Sequence, residues 1–539
     1  MLPTRNKIIM FRKIFVLFFI LLIAKTEAQT NSFFNVKDYG AAADGITLDT
    51  EAVRKAVADC AVKGGTVLFP SGKYLIGSVK LENNVEIYIQ RGAVILGSTN
   101  INDYEEYTPE LKSYNNYFLK HSIFYAEKAE NISIRGEGTI DGQGASFIIT
   151  TYKKPDRYKN RPFVIRFVEC KNVKIENIIL QNSAMWMQQY LACENLFIKG
   201  IKVYNHANKN NDMIDIDGCR NVVMSDCIGD TDDDALTLKS TSERITENVT
   251  ITNCVLSSHC NAIKMGTEST GGFRNITISN IVVKPSGSPT KIYGQHAGIS
   301  GITLGMVDGG ILEGVTISNI RIDGPQVPIY MRLGNRARKH YDDALQPGVG
   351  IFRDVNISDV IATNIKSNIG SSITGIPGHY IENVSLNNIR IEYVGSGTKE
   401  DAEKIIDELE DYYPESTKWG TLPAYGFFVR HVQNITFNNV ELTYKNNDVR
   451  PAMIFDDARN INLYNLRAKA DMNSEAVLKF YNSSDVTISG FKSLSSAKLF
   501  VKFSGESSKN ILLINNNFKS IENIFELSAG LSKEIVGIK

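Results

Sequence analysis

The stretch KNVKIENIIL (residues 171–180) is followed by ENLFIKGIKV (194–203), RNVVMSDCIG (220–229), ENVTITNCVL (247–256) and RNITISNIVV (274–283). Each has Asn as its second residue, then alternates apolar and polar residues as a half-buried strand does. The pattern returns as ENVSLNNIRI (382–391), QNITFNNVEL (433–442) and KNILLINNNF (509–518). Its Asn recurs at 172, 195, 221, 248, 275, 383, 434, 460 and 510, and Gly314, Asp354 and Asp485 take its place in further copies.

Self-similarity at this period means a solenoid, because one unit cannot bury its apolar face alone whereas stacked units share a continuous core. Two or three short Val/Ile-rich strands per unit, split by Asn, Ser, Asp and Gly turns, specify an all-β fold: a right-handed parallel β-helix with inserted loops. The repeated Asn is expected to hydrogen-bond backbone of the neighbouring coil. LDTEAVRKAVADCAVKGG (48–65) has Asp49 or Thr50 as N-cap, apolar Ala52, Val53, Ala56, Val57 and Cys60 on one face, and Gly64 as a stop. It predicts a short capping helix over the N-terminal end.

The chain has 539 residues, 43% of them hydrophobic, with 59 basic and 59 acidic side chains. This balance gives no bulk attraction for nucleic acid. Lys7, Arg12 and Lys13 precede the apolar run Ile14 to Ala24, and Thr26 and Ala28 offer a small-residue cleavage site. Residues 1–28 therefore read as a signal peptide, 29–539 as one β-helix domain, and the mature chain as exported to periplasm or medium. No later run reaches the length of a membrane span, and a monomer is expected. The seven cysteines read as small buried residues, with Cys170, Cys193 and Cys219 in one column. Sequons such as Asn248-Val-Thr fall on the repeat and read as turn chemistry. No zinc-type spacing appears, and neither metal nor cofactor is expected.

GDTDDDALTLKS (229–240) crowds Asp232, Asp233 and Asp234 before an alternating strand. Aligning coils by their apolar strands makes MIDID (213–217), ALTLK (235–239) and AIKMG (262–266) equivalent, so Asp212, Asp234 and Asn261 share a column with Asp233 beside it. Carboxylates on rungs about 4.8 Å apart repel by about 3 to 4 kcal/mol at an effective dielectric near 20. Such a pair raises a pKa, and a cluster holding one protonated and one ionised carboxyl is what acid/base cleavage of a glycosidic bond requires. Asp232, on the turn, is the least committed of the three.

The residues also resemble glycoside hydrolase family 28, the polygalacturonase-like pectin hydrolases, from about residue 34 to about residue 445. The likeness runs through YGAAADGITLDTEAV (39–53), GGTVLFPSGKYLIGS (64–78), GEGTIDGQG (136–144) and NSAMWMQQYLACENLFIKGI (182–201), and centres on NNDMIDIDGCRNV (210–222) with DDDALTLKS (232–240). It implies Asp233 as general acid and Asp212 with Asp234 as activators of water in an inverting hydrolysis of galacturonan or rhamnogalacturonan. The family's Gly-His-Gly motif falls on Cys260-Asn261-Ala262, so Asn261 replaces its His, and His259 is the candidate substitute. Its Arg-Ile-Lys motif falls on Tyr330-Met331-Arg332.

Further substrate contacts are expected from Arg332, Lys239 and Lys264, with Arg336, Arg338, Lys339 and His340 on a basic insertion and Glu268 as an extra carboxylate. Trp186 reads as core packing. Residues 401–426 begin as an amphipathic helix and end in Tyr412, Tyr413, Trp419 and Tyr425, an anchor or an aromatic wall. Two other readings stand beside hydrolysis: a β-helix polysaccharide lyase, which the family motifs do not favour, and a non-catalytic glycan-binding β-helix, against which all three Asp argue.

Overall fold

The computed structural model describes residues 32–539; the signal sequence read at 1–28 lies outside the described residues. The strands fall into three columns in which neighbours one coil apart pair in parallel. Gln188–Leu191, Ile214–Asp217, Leu236–Ser240 and Asn261–Ser269 follow one another in the first column. Lys171–Glu176, Glu194–Lys199 and Arg220–Ser225 belong to the second, and Ile179–Gln181, Lys202–Asn205 and Ile228–Thr231 to the third. The result is a right-handed parallel β-helix, as the repeat predicts.

Alternation in the sequence becomes alternation of burial: Val222 and Met224 face the core while Val223 between them is exposed. The core runs as one continuous cluster from Phe34 to Leu513. At the turn between the first and second columns the repeated Asn takes a left-handed conformation, with φ of 55° at Asn172, 56° at Asn195 and 58° at Asn221. A short polar side chain tolerates this region better than a β-branched one.

The Asn side chains bond one another as a ladder, where the sequence suggested backbone partners. Asn195 Nδ2 donates to Asn172 Oδ1 at 3.0 Å, Asn221 to Asn195 at 3.1 Å and Asn248 to Asn221 at 3.1 Å. An amide has both a donor and an acceptor, so identical residues on successive rungs satisfy each other. A carboxylate only accepts, which is why Asp354 and Asp485 stand at the foot of new runs, each accepting from the Asn above at 2.8 Å.

The helix Thr50–Lys63 buries Ala52, Val53, Ala56, Val57 and Cys60 over the first coil. Its cap differs in detail from expectation: the Asp49 side chain accepts from Ala42 and Ala43 N–H at 2.7 and 3.1 Å and makes no cap bond to its own helix. The cysteines are free and buried. Residues 401–426 depart from expectation, with helix confined to Lys399–Ala402. The rest is irregular because its polar groups find partners on the solenoid, Arg430 Nη1 donating to Ile406 O at 2.8 Å.

The first column differs from the others in being buried on both faces: all four residues of Gln188–Leu191 and of Ile214–Asp217 are buried, as are all five of Leu236–Ser240. Its outer face is covered by the insertions near 101–121, 142–162 and 396–426. Residues of these insertions and of 284–299 line a cleft over the middle coils.

Candidate active site

The cleft floor is made by the residues that precede the first-column strands. Met213 N donates to Asp234 O at 3.0 Å and Ala235 N to Asn261 O at 2.9 Å, so Asp212, Asp234 and Asn261 follow one another on successive rungs. Oxygens of Asp212, Asp233 and Asp234 all lie within 4.8 Å of one another. The cleft has a volume of about 960 Å³ and all three carboxylates line it.

Their environments differ. Lys264 Nζ lies 2.6 Å from Asp234 Oδ2, and Asn261 Nδ2 donates to Asp234 Oδ1 at 2.7 Å, so both Asp234 oxygens have partners. Burial, and then the Asp234 charge, push the Asp233 carboxyl up to about 7. Burial also pushes Asp212 well above the usual carboxylate range, with Asp215 and Asp233 adding to it. Asp212 Oδ1 has no hydrogen-bond partner among the described residues. The cluster thus sets two carboxyls of raised proton affinity beside one paired with a lysine, the combination that general acid–base chemistry uses.

Cations ring the acids. Lys239 Nζ sits 3.5 Å from Asp215 Oδ1, 3.4 Å from Glu268 Oε2 and 4.7 Å over the Trp186 ring. Arg338 reaches Glu268 at 2.7 Å and lies 3.4 Å over the Tyr114 ring. Burial pushes Glu268 up, but Lys239, Arg338 and Arg336 outweigh it and hold that carboxyl well below its usual range. Tyr413 Oη stands 3.5 Å from Lys264 Nζ, and Tyr412 and Tyr413 form an aromatic wall.

The model of the Glycosyl hydrolases family 28 matches residues 61–408. This chain belongs to that family. A probable polygalacturonase of Vitis vinifera is 26% identical over 413 residues, spanning 72% of this chain and 82% of the relative. An exo-poly-alpha-D-galacturonosidase of Dickeya chrysanthemi is 23% identical over 261 residues, 40% of this chain and 43% of that protein. Two solved structures share the fold. The exopolygalacturonase of Thermotoga maritima has a TM-score of 0.59 at 19% identity, covering 77% of this chain and 92% of its own. The family 28 exopolygalacturonase of Yersinia enterocolitica has a TM-score of 0.62 at 18% identity, covering 81% and 78%. The chain is thus a glycoside hydrolase.

Several residues singled out in this family 28 enzyme lie away from the cleft. His259 is wholly buried, its Nδ1 2.9 Å from Asp232 Oδ1. Tyr330, paired with Thr303 in the first column, is 1% exposed and packs near Trp419. Arg332 spends its guanidinium on Gly375 O at 3.0 Å, Glu408 O at 2.6 Å and Leu409 O at 3.1 Å, and so ties down the 396–426 insertion. Arg336 pairs with Asp308, His340 is buried beside Glu243, and Tyr425 is in the core. Asp232 is the most committed of its run, accepting from Ile292 N at 2.6 Å and Tyr293 N at 2.8 Å as well as meeting His259.

Other lining residues went unread in the sequence: Lys154, Arg157, Tyr158 and Tyr293 come from insertions with no repeat to index them. Trp186 lines the cleft while packing on Phe163 at 6.0 Å. Asp215, fully buried with neither oxygen hydrogen-bonded among the described residues, had a signal: it is an acid at an outward position of MIDID.

Proposed function

We propose that this family 28 enzyme hydrolyses polygalacturonate with inversion, Asp233 protonating the leaving oxygen, Asp234 receiving the proton of the attacking water and Asp212 hydrogen-bonding that water. The observation that carries this reading is a carboxyl pushed to about 7, Asp233, beside an anion fixed by Lys264 and Asn261. The substrate class is supported by the cations around the acids: Lys154, Arg157, Lys239, Lys264, Arg338 and Lys418 line the same cleft and suit a chain of uronic acids. The names of the plant and bacterial relatives point the same way.

The acids lie closer together than the roughly 6.5–9.5 Å usual when a water enters between acid and base in an inverting enzyme. The water is therefore assigned to one side, bonded to Asp212 and Asp234 jointly, with Asp233 facing the leaving oxygen. Rhamnogalacturonan is a second reading, favoured by one observation: the buried Tyr330 brings no cation to the position where the family pattern has Arg. The basic-then-apolar leader at 1–28 supports export.

Incubation with polygalacturonate and with rhamnogalacturonan oligosaccharides tests all of this. Saturated products, each bond cleaved adding one water, with the anomer opposite to the substrate's, are expected. Unsaturated products would mean a lyase, and a retained anomeric configuration would refute the assigned roles.

A further inference from the structure

Outside the acids of the cleft, one polar cluster in the solenoid has no role in the proposed chemistry. His206, Asp232 and His259 stand on three successive coils, each following a paired third-column residue: Asn205, Thr231 and Ser258. A ligand atom from each lies within 4.8 Å of the others, and the two imidazole rings are 4.8 Å apart. His206 is 5% exposed and His259 is 0% exposed.

Hydrogen bonds already hold one nitrogen of each ring. His206 Nε2 is held by Asp230 Oδ1 at 2.9 Å, and His206 Nδ1 is left buried with no hydrogen-bond partner among the described residues. His259 meets Asp232 Oδ1 through Nδ1 at 2.9 Å, a contact that an ion held between the two would replace, and its Nε2 is unpartnered among the described residues. Buried imidazole nitrogens of this kind are costly unless something binds them. A carboxylate fixing the far nitrogen of a histidine is the arrangement that orients metal-binding imidazoles. A third ring, His296, lies 5.0 Å from His259 at the rim.

We propose that His206, Asp232 and His259 form a binding site for a divalent transition-metal ion, zinc by its nitrogen and carboxylate donors. His206 binds through Nδ1, the nitrogen that Asp230 leaves free, and a water completes a four-coordinate shell. The site is structural in consequence. Asp230 accepts from Ser286 Oγ at 2.5 Å and Gly287 N at 3.0 Å, and Asp232 from Ile292 and Tyr293 N–H. The ion would therefore clamp the 284–299 insertion, whose Tyr293, Gly294 and Gln295 line the cleft. The donors are separated by 26 and 27 residues, one coil each, so no compact zinc motif appears in the sequence.

The test uses the full secreted chain, stripped with a chelator, exposed to Zn²⁺ alone and desalted. About one zinc per chain should be retained, with a higher Tm and slower proteolysis within 284–299 than in the stripped protein. Co²⁺ should give the intense visible absorption of a four-coordinate, nitrogen-ligated ion. His206→Gln and His259→Gln should each lose the retained zinc, whereas His431→Gln and Asp212→Asn should keep it. Circular dichroism establishes that each variant is folded; if a histidine variant does not fold, the wild-type Co²⁺ spectrum decides. The proposal is overturned by no retained zinc in the wild type, by equal retention in the histidine variants, or by a cobalt spectrum like that of the aqueous ion.

Discussion

Lys264 Nζ lies 2.6 Å from Asp234 Oδ2, and both side chains are at most 6% exposed, one coil apart on the cleft floor. Burial lowers the Lys264 ammonium's pKa, but Asp234, Tyr413 and Asp233 outweigh it, so the lysine stays charged. Removing one partner of such a pair leaves an uncompensated buried charge. Lys264→Met is expected to cost about 3 to 5 kcal/mol of stability by denaturant unfolding, and to lower kcat as the Asp234 side chain loses the partner that holds it in place. A variant as stable as the wild type would mean that the pair is not formed.

Asp233→Asn keeps the shape and removes the proton donor. Turnover should fall by about 10² to 10⁴, while oligosaccharide affinity, measured by calorimetry with the intact substrate, should stay within a few-fold. Unchanged kcat would end the assignment of Asp233 as acid.

The same carboxyl gives a pH dependence of defined sign. Its folded pKa is raised from 3.8 to about 7, so between these values the folded protein holds a proton that the unfolded chain has lost. Stability from this group is therefore lost as pH rises through that window. Asp233→Asn should raise Tm relative to wild type at about pH 8, and not at about pH 3.5. Activity should fall as pH rises beyond about 7, when the acid ionises.

Arg332 is read as the anchor of the 396–426 insertion. Arg332→Lys loses the fork that reaches Gly375, Glu408 and Leu409 carbonyls together. Limited proteolysis should show earlier cleavage within 399–420. An unchanged digestion pattern with a large rise in KM would instead make Arg332 a substrate contact.

Asn221 combines a φ of 58° with amide bonds to both Asn195 and Asn248. Asn221→Ala loses both features and should cost about 1 to 3 kcal/mol. Asn221→Gly keeps the left-handed turn and should recover part of that loss in thermal unfolding.

Much of the site was written in the repeat. Coil register is a local property: once MIDID, ALTLK and AIKMG are aligned, the parallel pairing puts Asp212, Asp234 and Asn261 on successive rungs, because strands repeat at a fixed spacing whatever lies elsewhere. The crowding of carboxylates follows from the same regularity, and the buried face of the capping helix from a helical period of its own.

Side-chain direction at the turns and the course of the insertions came only with the folded chain. Asp232 looked free because its partners, Ile292 and Tyr293, are some 60 residues on. Arg332 looked like a substrate ligand because the carbonyls that capture it belong to an insertion that begins some 60 residues later. His206 and His259 converge on Asp232 only when three coils are stacked. A period along the chain sets which residues share a column, but the packing of distant segments decides whether each one faces the core, the cleft or a neighbour.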